Sequence, residues 1–183
     1  ADFAARALIA RPSVPALAAI LVEPTGDGLR LSANNYDHAA EATVDAEVSA
    51  GAEPLLLPGA LLAGWLNTAR GSTVTLTLDD RRATCRSGGA RITMPALDPS
   101  NAPGRPTLAK GSPSLTLPRA ALAEALRRLT GAVGSDPLIP ATTAVHMVTD
   151  GDQLVISATN RYVIARTTVT LDHPPAAFEV EPI

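Results

Sequence analysis

The sequence predicts an α+β fold made from a duplicated domain, in which antiparallel sheets carry helices on one face. Three observations predict it. Shifting the chain by 125 residues lays Pro12 to Asn35 over Pro137 to Asn160 without a gap, with ten of the 24 positions identical. The identities include the Gly-Asp turn, Gly26-Asp27 over Gly151-Asp152, and both prolines, Pro12/Pro137 and Pro15/Pro140. A period this long marks a duplicated domain and not a short solenoid repeat. The other two observations are short segments of alternating apolar and polar residues bounded by hairpin turns, and two apolar stripes at helical spacing.

Residues 1–10 place Phe3, Ala7 and Leu8 at helical spacing, and Arg11-Pro12 ends that helix because proline disfavours helix in the residue before it. Strands at Leu17 to Glu23 and Leu29 to Ala33 follow, joined by Thr25-Gly26-Asp27-Gly28. From Ala40 to Val48 apolar and polar residues alternate, as in a strand with one wet face. Leu55 to Leu57 is a short strand, and Pro58 opens a helix whose buried stripe is Leu61, Leu62, Trp65, Leu66 and Ala69. Thr73 to Leu78, Ala83 to Arg86 and Ala90 to Met94 are strands separated by Asp-Asp and Gly-Gly turns.

Residues 1–94 thus form a first domain, 95–113 a linker with five prolines, and 114–183 a second domain. The second domain starts with a strand at Ser114 to Leu117. A helix from Pro118 to Thr130 follows and ends at Gly131, with Leu122, Leu126 and Leu129 inward and Glu124 and Arg128 paired on the wet side. Strands at Ala144 to Thr149, Gln153 to Thr159 and Val163 to Leu171 repeat the first domain's order. By the repeat, the first copy lacks an opening strand and the second its last part, so the sequence reads as part of a longer protein.

Composition narrows the function. A hydrophobic fraction of 46% is ample for a core, and aromatics are only 3%. The formal charge of −3 argues against holding nucleic acid by bulk charge. Fourteen of the 15 basic residues are arginine, Lys110 being the exception. The single cysteine, Cys85, excludes an internal disulfide and sits in an alternating strand as a buried small hydrophobe. No apolar run reaches 18 residues, and Arg6 and Arg11 interrupt the N-terminal apolar stretch, so neither a membrane span nor a secretory signal is supported and the expected setting is cytoplasmic. His38, His146 and His173 are isolated, without metal-ligand spacing. Asp79-Asp80 and Asp150-x-Asp152 read as turns, and no nucleophile elbow or phosphate loop occurs. No catalytic residue, metal or cofactor is expected.

Four stretches together resemble the bacterial DNA polymerase III β subunit, the sliding clamp, of the actinobacterial type: Ala10 to Pro15, Leu55 to Leu66, Gly89 to Pro95 and Ser157 to Ala165. They occur in family order over nearly the whole chain. The resemblance implies the DNA-clamp fold, in a protomer of three such domains that pairs as a homodimer into a ring around duplex DNA. It implies processivity without chemistry, with DNA polymerase and clamp-loader peptides as partners. DNA-facing residues would be Arg6, Arg11, Arg70, Arg127 and Arg128. The second-domain half of the partner-peptide pocket would map onto Thr142, Thr159, Arg161, Tyr162, Val163 and Ile164. Three of the pocket stretch's positions depart from the family pattern: Thr142 replaces an apolar residue, Asn160 an aspartate and Val163 an arginine. The family's aromatic DNA contacts are absent where Pro140 and Ala141 stand. These departures point to a divergent paralogue, and they motivate an alternative reading, a clamp-fold binding or decoy module that no longer encircles DNA.

Overall fold

The computed structural model describes residues 2–9, 12–107, 109–112, 114–172 and 179–180. It divides into two compact units, Ala1–Thr107 and Leu108–Ile183. In the first, α1 (Asp2–Ala5) and a 3-10 turn at Pro15–Ala18 precede β1 (Ala19–Thr25), β2 (Gly28–Asn34), β3 (Ala39–Val44) and β4 (Leu55–Pro58). These strands form an antiparallel sheet in the order β3-β2-β1-β4. Then come α2 (Gly59–Thr68) and a second antiparallel sheet of β5 (Thr75–Asp79), β6 (Arg82–Ser87) and β7 (Ala90–Pro95).

One core joins both sheets to the helices. Ala4, Ala7 and Leu62 pack with Ile20, Val22, Leu31, Ala33 and Leu57 of the first sheet and Ala83, Cys85 and Met94 of the second. Each large aliphatic side chain fully buried there stabilises by about 1.5–3 kcal/mol. Burial pushes the Cys85 thiol pKa up, as suits a packing residue and not a nucleophile. Gly59 opens α2 where Leu8 and Ile20 press against it, and a Cβ there would collide with the Leu8 side chain.

The opposite face of the first sheet is covered by the chain itself. Leu97 donates its N–H to the Leu56 carbonyl at 2.8 Å, and Leu97 and Ala102 pack against Ala16, Ala19, Leu21 and Leu56. Asp98 caps a 3-10 turn at Pro99–Asn101 by accepting from the Ser100 N–H, and hydrogen bonding from the Ser100 side chain, then from its backbone, lowers the Asp98 carboxyl pKa. Further on, Asn34 Nδ2 donates to the Gly104 carbonyl at 2.6 Å, and Arg105 pairs with Glu41 at 2.8 Å. The segment read as a linker from 95 is therefore bound to the first unit as far as Thr107.

The second unit contains α3 (Arg119–Leu129), a 3-10 turn at Thr130–Ala132, α4 (Pro140–Thr143), β8 (His146–Asp150), β9 (Gln153–Thr159), β10 (Ile164–Thr170) and β11 (Glu179–Val180). Its sheet runs β10-β9-β8-β11. Ala125 and Leu129 of α3 pack with Leu154, Ile156, Ala158 and Val169 of the sheet to form its core.

The two units copy each other's register. Leu21 pairs with Ser32 and His146 with Ser157; Leu29 pairs with Val44 and Leu154 with Val169; Val22 pairs with Leu55 and Met147 with Val180. Every pair is displaced by the same 125 residues. Even the short turn at Pro15–Ala18 recurs at Pro140–Thr143.

Several local expectations are corrected. The first helix ends at Ala5, because Arg6, Ala7 and Leu8 bond three residues back and tighten the chain into turns. Leu61, expected in the buried stripe of α2, is exposed. The strand expected from Leu17 begins at Ala19, after the Pro15 turn, and the one expected to reach Val48 stops at Val44. Ser114 to Leu117 forms no ladder among the described residues; Leu115 and Leu117 instead pack on the core edge as an extended segment. Val163 lies outside β10, in the turn before it. His173 falls outside the described residues.

Candidate interaction sites

Two of the five candidate DNA-facing arginines lie on a helix. Arg127 and Arg128 occupy the last turn of α3, where the helix dipole favours a cation. Both reach back to Glu124: Arg127 donates from Nε and its terminal nitrogen at 2.9 Å each, and Arg128 from Nε at 3.0 Å. The hydrogen bonds from Arg127, then from Arg128, hold the Glu124 carboxyl below its ordinary pKa, and Glu124 raises that of Arg127. One carboxylate thus sits between two guanidiniums, so the cluster presents a net positive charge with its forks already oriented.

Arg6 and Arg70 are exposed but lie off the helices expected to carry them. Arg6 follows α1 in a turn. Arg70 lies beyond the end of α2, which stops where Ala69 turns extended while donating its N–H to Trp65. Arg11 falls outside the described residues.

Of the six pocket candidates, Thr159 to Ile164 form one continuous feature at the end of the β9–β10 hairpin. Asn160 organises it. Its side-chain oxygen accepts from the backbone N–H groups of Tyr162 at 3.1 Å and Val163 at 2.9 Å. The Thr159 hydroxyl donates to the Val163 carbonyl at 2.9 Å and accepts from the Arg161 N–H at 3.2 Å. Arg161 is thereby held at φ 78°, a left-handed conformation that only a well-braced turn sustains in a residue with a Cβ. The result is three apolar side chains presented to solvent: Tyr162 87%, Val163 51% and Ile164 80% exposed. The Arg161 guanidinium lies 5.9 Å from the Tyr162 ring centroid.

Thr142 behaves differently. It is buried in α4, its hydroxyl donating to the Ile139 carbonyl at 2.8 Å while its own carbonyl accepts from Gly134. It positions α4, which packs on β9, and does not offer its side chain to a ligand.

Leu138, Asn160 and Tyr36 were not among the candidate site residues. Leu138, before α4, is 88% exposed. Asn160 was visible as the identity Asn35/Asn160, and the structure gives that identity its cause. Asn35 accepts from the N–H groups of Asp37 and His38 just as Asn160 does from Tyr162 and Val163. Tyr36, at φ 74° and exposed, is the counterpart of Arg161.

Comparison with known proteins places these features. A family model described as the DNA polymerase III beta subunit, N-terminal domain, matches residues 2–106. The chain is similar to the beta sliding clamp of Streptomyces coelicolor, at 31% identity over 163 residues, 89% of this chain and 43% of that protein. With the beta sliding clamp of Micrococcus luteus the identity is 30% over 166 residues, 90% of this chain and 52% of that protein. It spans about half the length of these relatives. Its fold matches the crystal structure of the beta subunit from DNA polymerase of Streptococcus pyogenes with a TM-score of 0.84 at 21% identity, over 98% of this chain and 49% of that one. At that identity the likeness speaks for shape alone.

Proposed function

Because this chain belongs to the DNA polymerase III β-subunit family, the sliding clamps, we propose that it works as ring segments of a clamp that encircles duplex DNA and tethers a polymerase. Clamps of this family are processivity factors; they hold other enzymes on DNA and do not themselves catalyse. The observation that carries the reading is the copied ladder register of the two units, since a ring needs near-identical segments repeated around its circumference. A homodimer that pairs head to tail closes such a ring.

Topology, not affinity, does the tethering. A protein of net charge −3 that gripped many phosphates would release counterions and bind tightly, which opposes sliding. A few oriented guanidiniums suffice, and Arg127 and Arg128 of α3 supply them, with Arg6 and Arg70 contributing from turns. The cytoplasmic setting follows from the proposed work on DNA. Among the described residues no helix is long and apolar enough to cross a membrane.

Partners dock at the Thr159 to Ile164 turn. Tyr162, Val163 and Ile164 offer an exposed apolar patch on a hydrogen-bonded base, as a linear peptide from a polymerase or clamp loader requires. The first unit supports this with an internal example: Asn34, the counterpart of Thr159, donates its side-chain N–H to the Gly104 carbonyl of the segment that follows β7, and Leu97 and Ala102 of that segment pack with Ala16 and Ala19.

Two measurements test the reading. Peptides tiled from polymerase and clamp-loader subunits should bind this chain saturably, and Tyr162→Ala should weaken them by roughly 2 kcal/mol, about thirtyfold. Full-length natural protein loaded on nicked circular DNA should be released when the circle is linearised. Retention after linearisation, or a peptide response indifferent to Tyr162, would favour a clamp-fold binding module that does not encircle DNA.

A further inference from the structure

The outward face of the β5–β6–β7 sheet carries side chains in three rows across three strands, set by the register. Thr75, Arg86 and Arg91 form the first row, Thr77, Thr84 and Thr93 the second, and Asp79, Arg82 and Pro95 the third. Ala83, Cys85 and Met94 point the other way into the core, so this face is turned from the helices. Arg86 and Arg91 are exposed and directly opposite one another.

Two like charges on opposed positions of an antiparallel pair repel, with Cβ atoms about 5 Å apart. Neither arginine forms an ion pair among the described residues. The only carboxylate on the face, Asp79, stands four residues along β5 from Thr75, about 13 Å away, which exceeds a Debye length at physiological salt. Asp79 also sits opposite Arg82. A repelling, uncompensated pair therefore remains beside a belt of hydroxyls, in which the Thr84 and Thr93 oxygens are 3.1 Å apart.

We propose that this face binds an extended, carboxylate-rich peptide segment of a protein partner. Arg86 and Arg91 fork onto its Asp or Glu side chains, and the threonine row donates to its remaining acceptors. The chemistry matches: guanidinium pairs with carboxylate in a planar, two-bond geometry, and an anion between the arginines turns their repulsion into attraction. A nucleic-acid strand fits less well. Its charge density needs many cations in a line, whereas this face carries three arginines, Arg82, Arg86 and Arg91, with an aspartate opposite the first.

The test uses a short fluorescein-labelled poly-glutamate peptide titrated onto the chain at low salt. Saturable binding should weaken roughly tenfold in the double variant R86Q/R91Q, within the range of two exposed ion pairs, and should be unchanged in K110Q, which removes an exposed cation away from this sheet. Equal binding by R86Q/R91Q, or tighter binding of a single-stranded oligonucleotide through the same two arginines, would overturn the proposal. Thermal melts supply an independent check. Without peptide, R86Q/R91Q should melt no lower than the parent chain, having lost a repulsion. Poly-glutamate should raise the parent's Tm and leave the variant's unmoved; a variant that responds equally would also overturn it.

Discussion

At the scale of single residues, Glu124 sets how much positive charge α3 shows. Its carboxyl titrates below the ordinary glutamate range because Arg127 and then Arg128 hydrogen-bond to it. As pH falls the unfolded chain therefore takes up this proton before the folded one does. The stabilisation is complete above the unfolded-state pKa and is lost as pH falls through the depressed folded-state value. Glu124→Gln should flatten that part of the stability curve in thermal melts across the acid range. In the same variant at neutral pH both guanidiniums are freed. Duplex binding should tighten and its salt dependence steepen, while Arg127→Ala should shrink the slope of log K against log salt by about 1. A variant whose salt slope does not move would remove α3 from the proposed DNA-contacting surface.

Among the secondary-structure elements, strands with one wet face were legible because their alternation has a single physical cause, a sheet with one side in the core. β2 and β9 fall within a residue or so of the expected ranges. Elements without a period were not legible. α4 is four residues opened by Pro140, too short for any stripe, and Ser114 to Leu117 has strand composition but no ladder among the described residues. Leu61 matched the helical stripe of α2 yet faces solvent. At the candidate site the segment was legible and the device was not: Asn160 bracing a left-handed Arg161 leaves no periodic trace.

The duplicated hairpins also differ in a way that makes a prediction. Gly28 begins β2 at φ 139°, and a Cβ there would strike the Val44 carbonyl, whereas its counterpart Gln153 carries a full side chain that reaches the Thr170 hydroxyl. Gly28→Ala should cost about 2–3 kcal/mol through strain and clash, and Gln153→Ala should stay within about 0.5 kcal/mol of neutral. Denaturant melts of the two variants measure the contrast.

For the whole molecule, the question is whether the two copies are separate folding units, as the proposed ring of repeated segments needs. Each has its own core: the first draws on Ile20, Leu57 and Met94, the second on Leu129, Leu154 and Ile156. The last anchors of the first unit are Gly104 and Arg105. Lys110, the chain's single lysine, lies exposed beyond them. Endoproteinase Lys-C should therefore cut once in the folded chain, releasing residues 1–110 and 111–183. Because among the described residues no ladder pair crosses that bond, the far-UV circular dichroism of the digest should match that of the intact chain. After separation the fragments should melt independently, each cooperatively. Loss of strand signal on cleavage would mean that the copies fold as one body, and the repeat would then describe ancestry without describing modules.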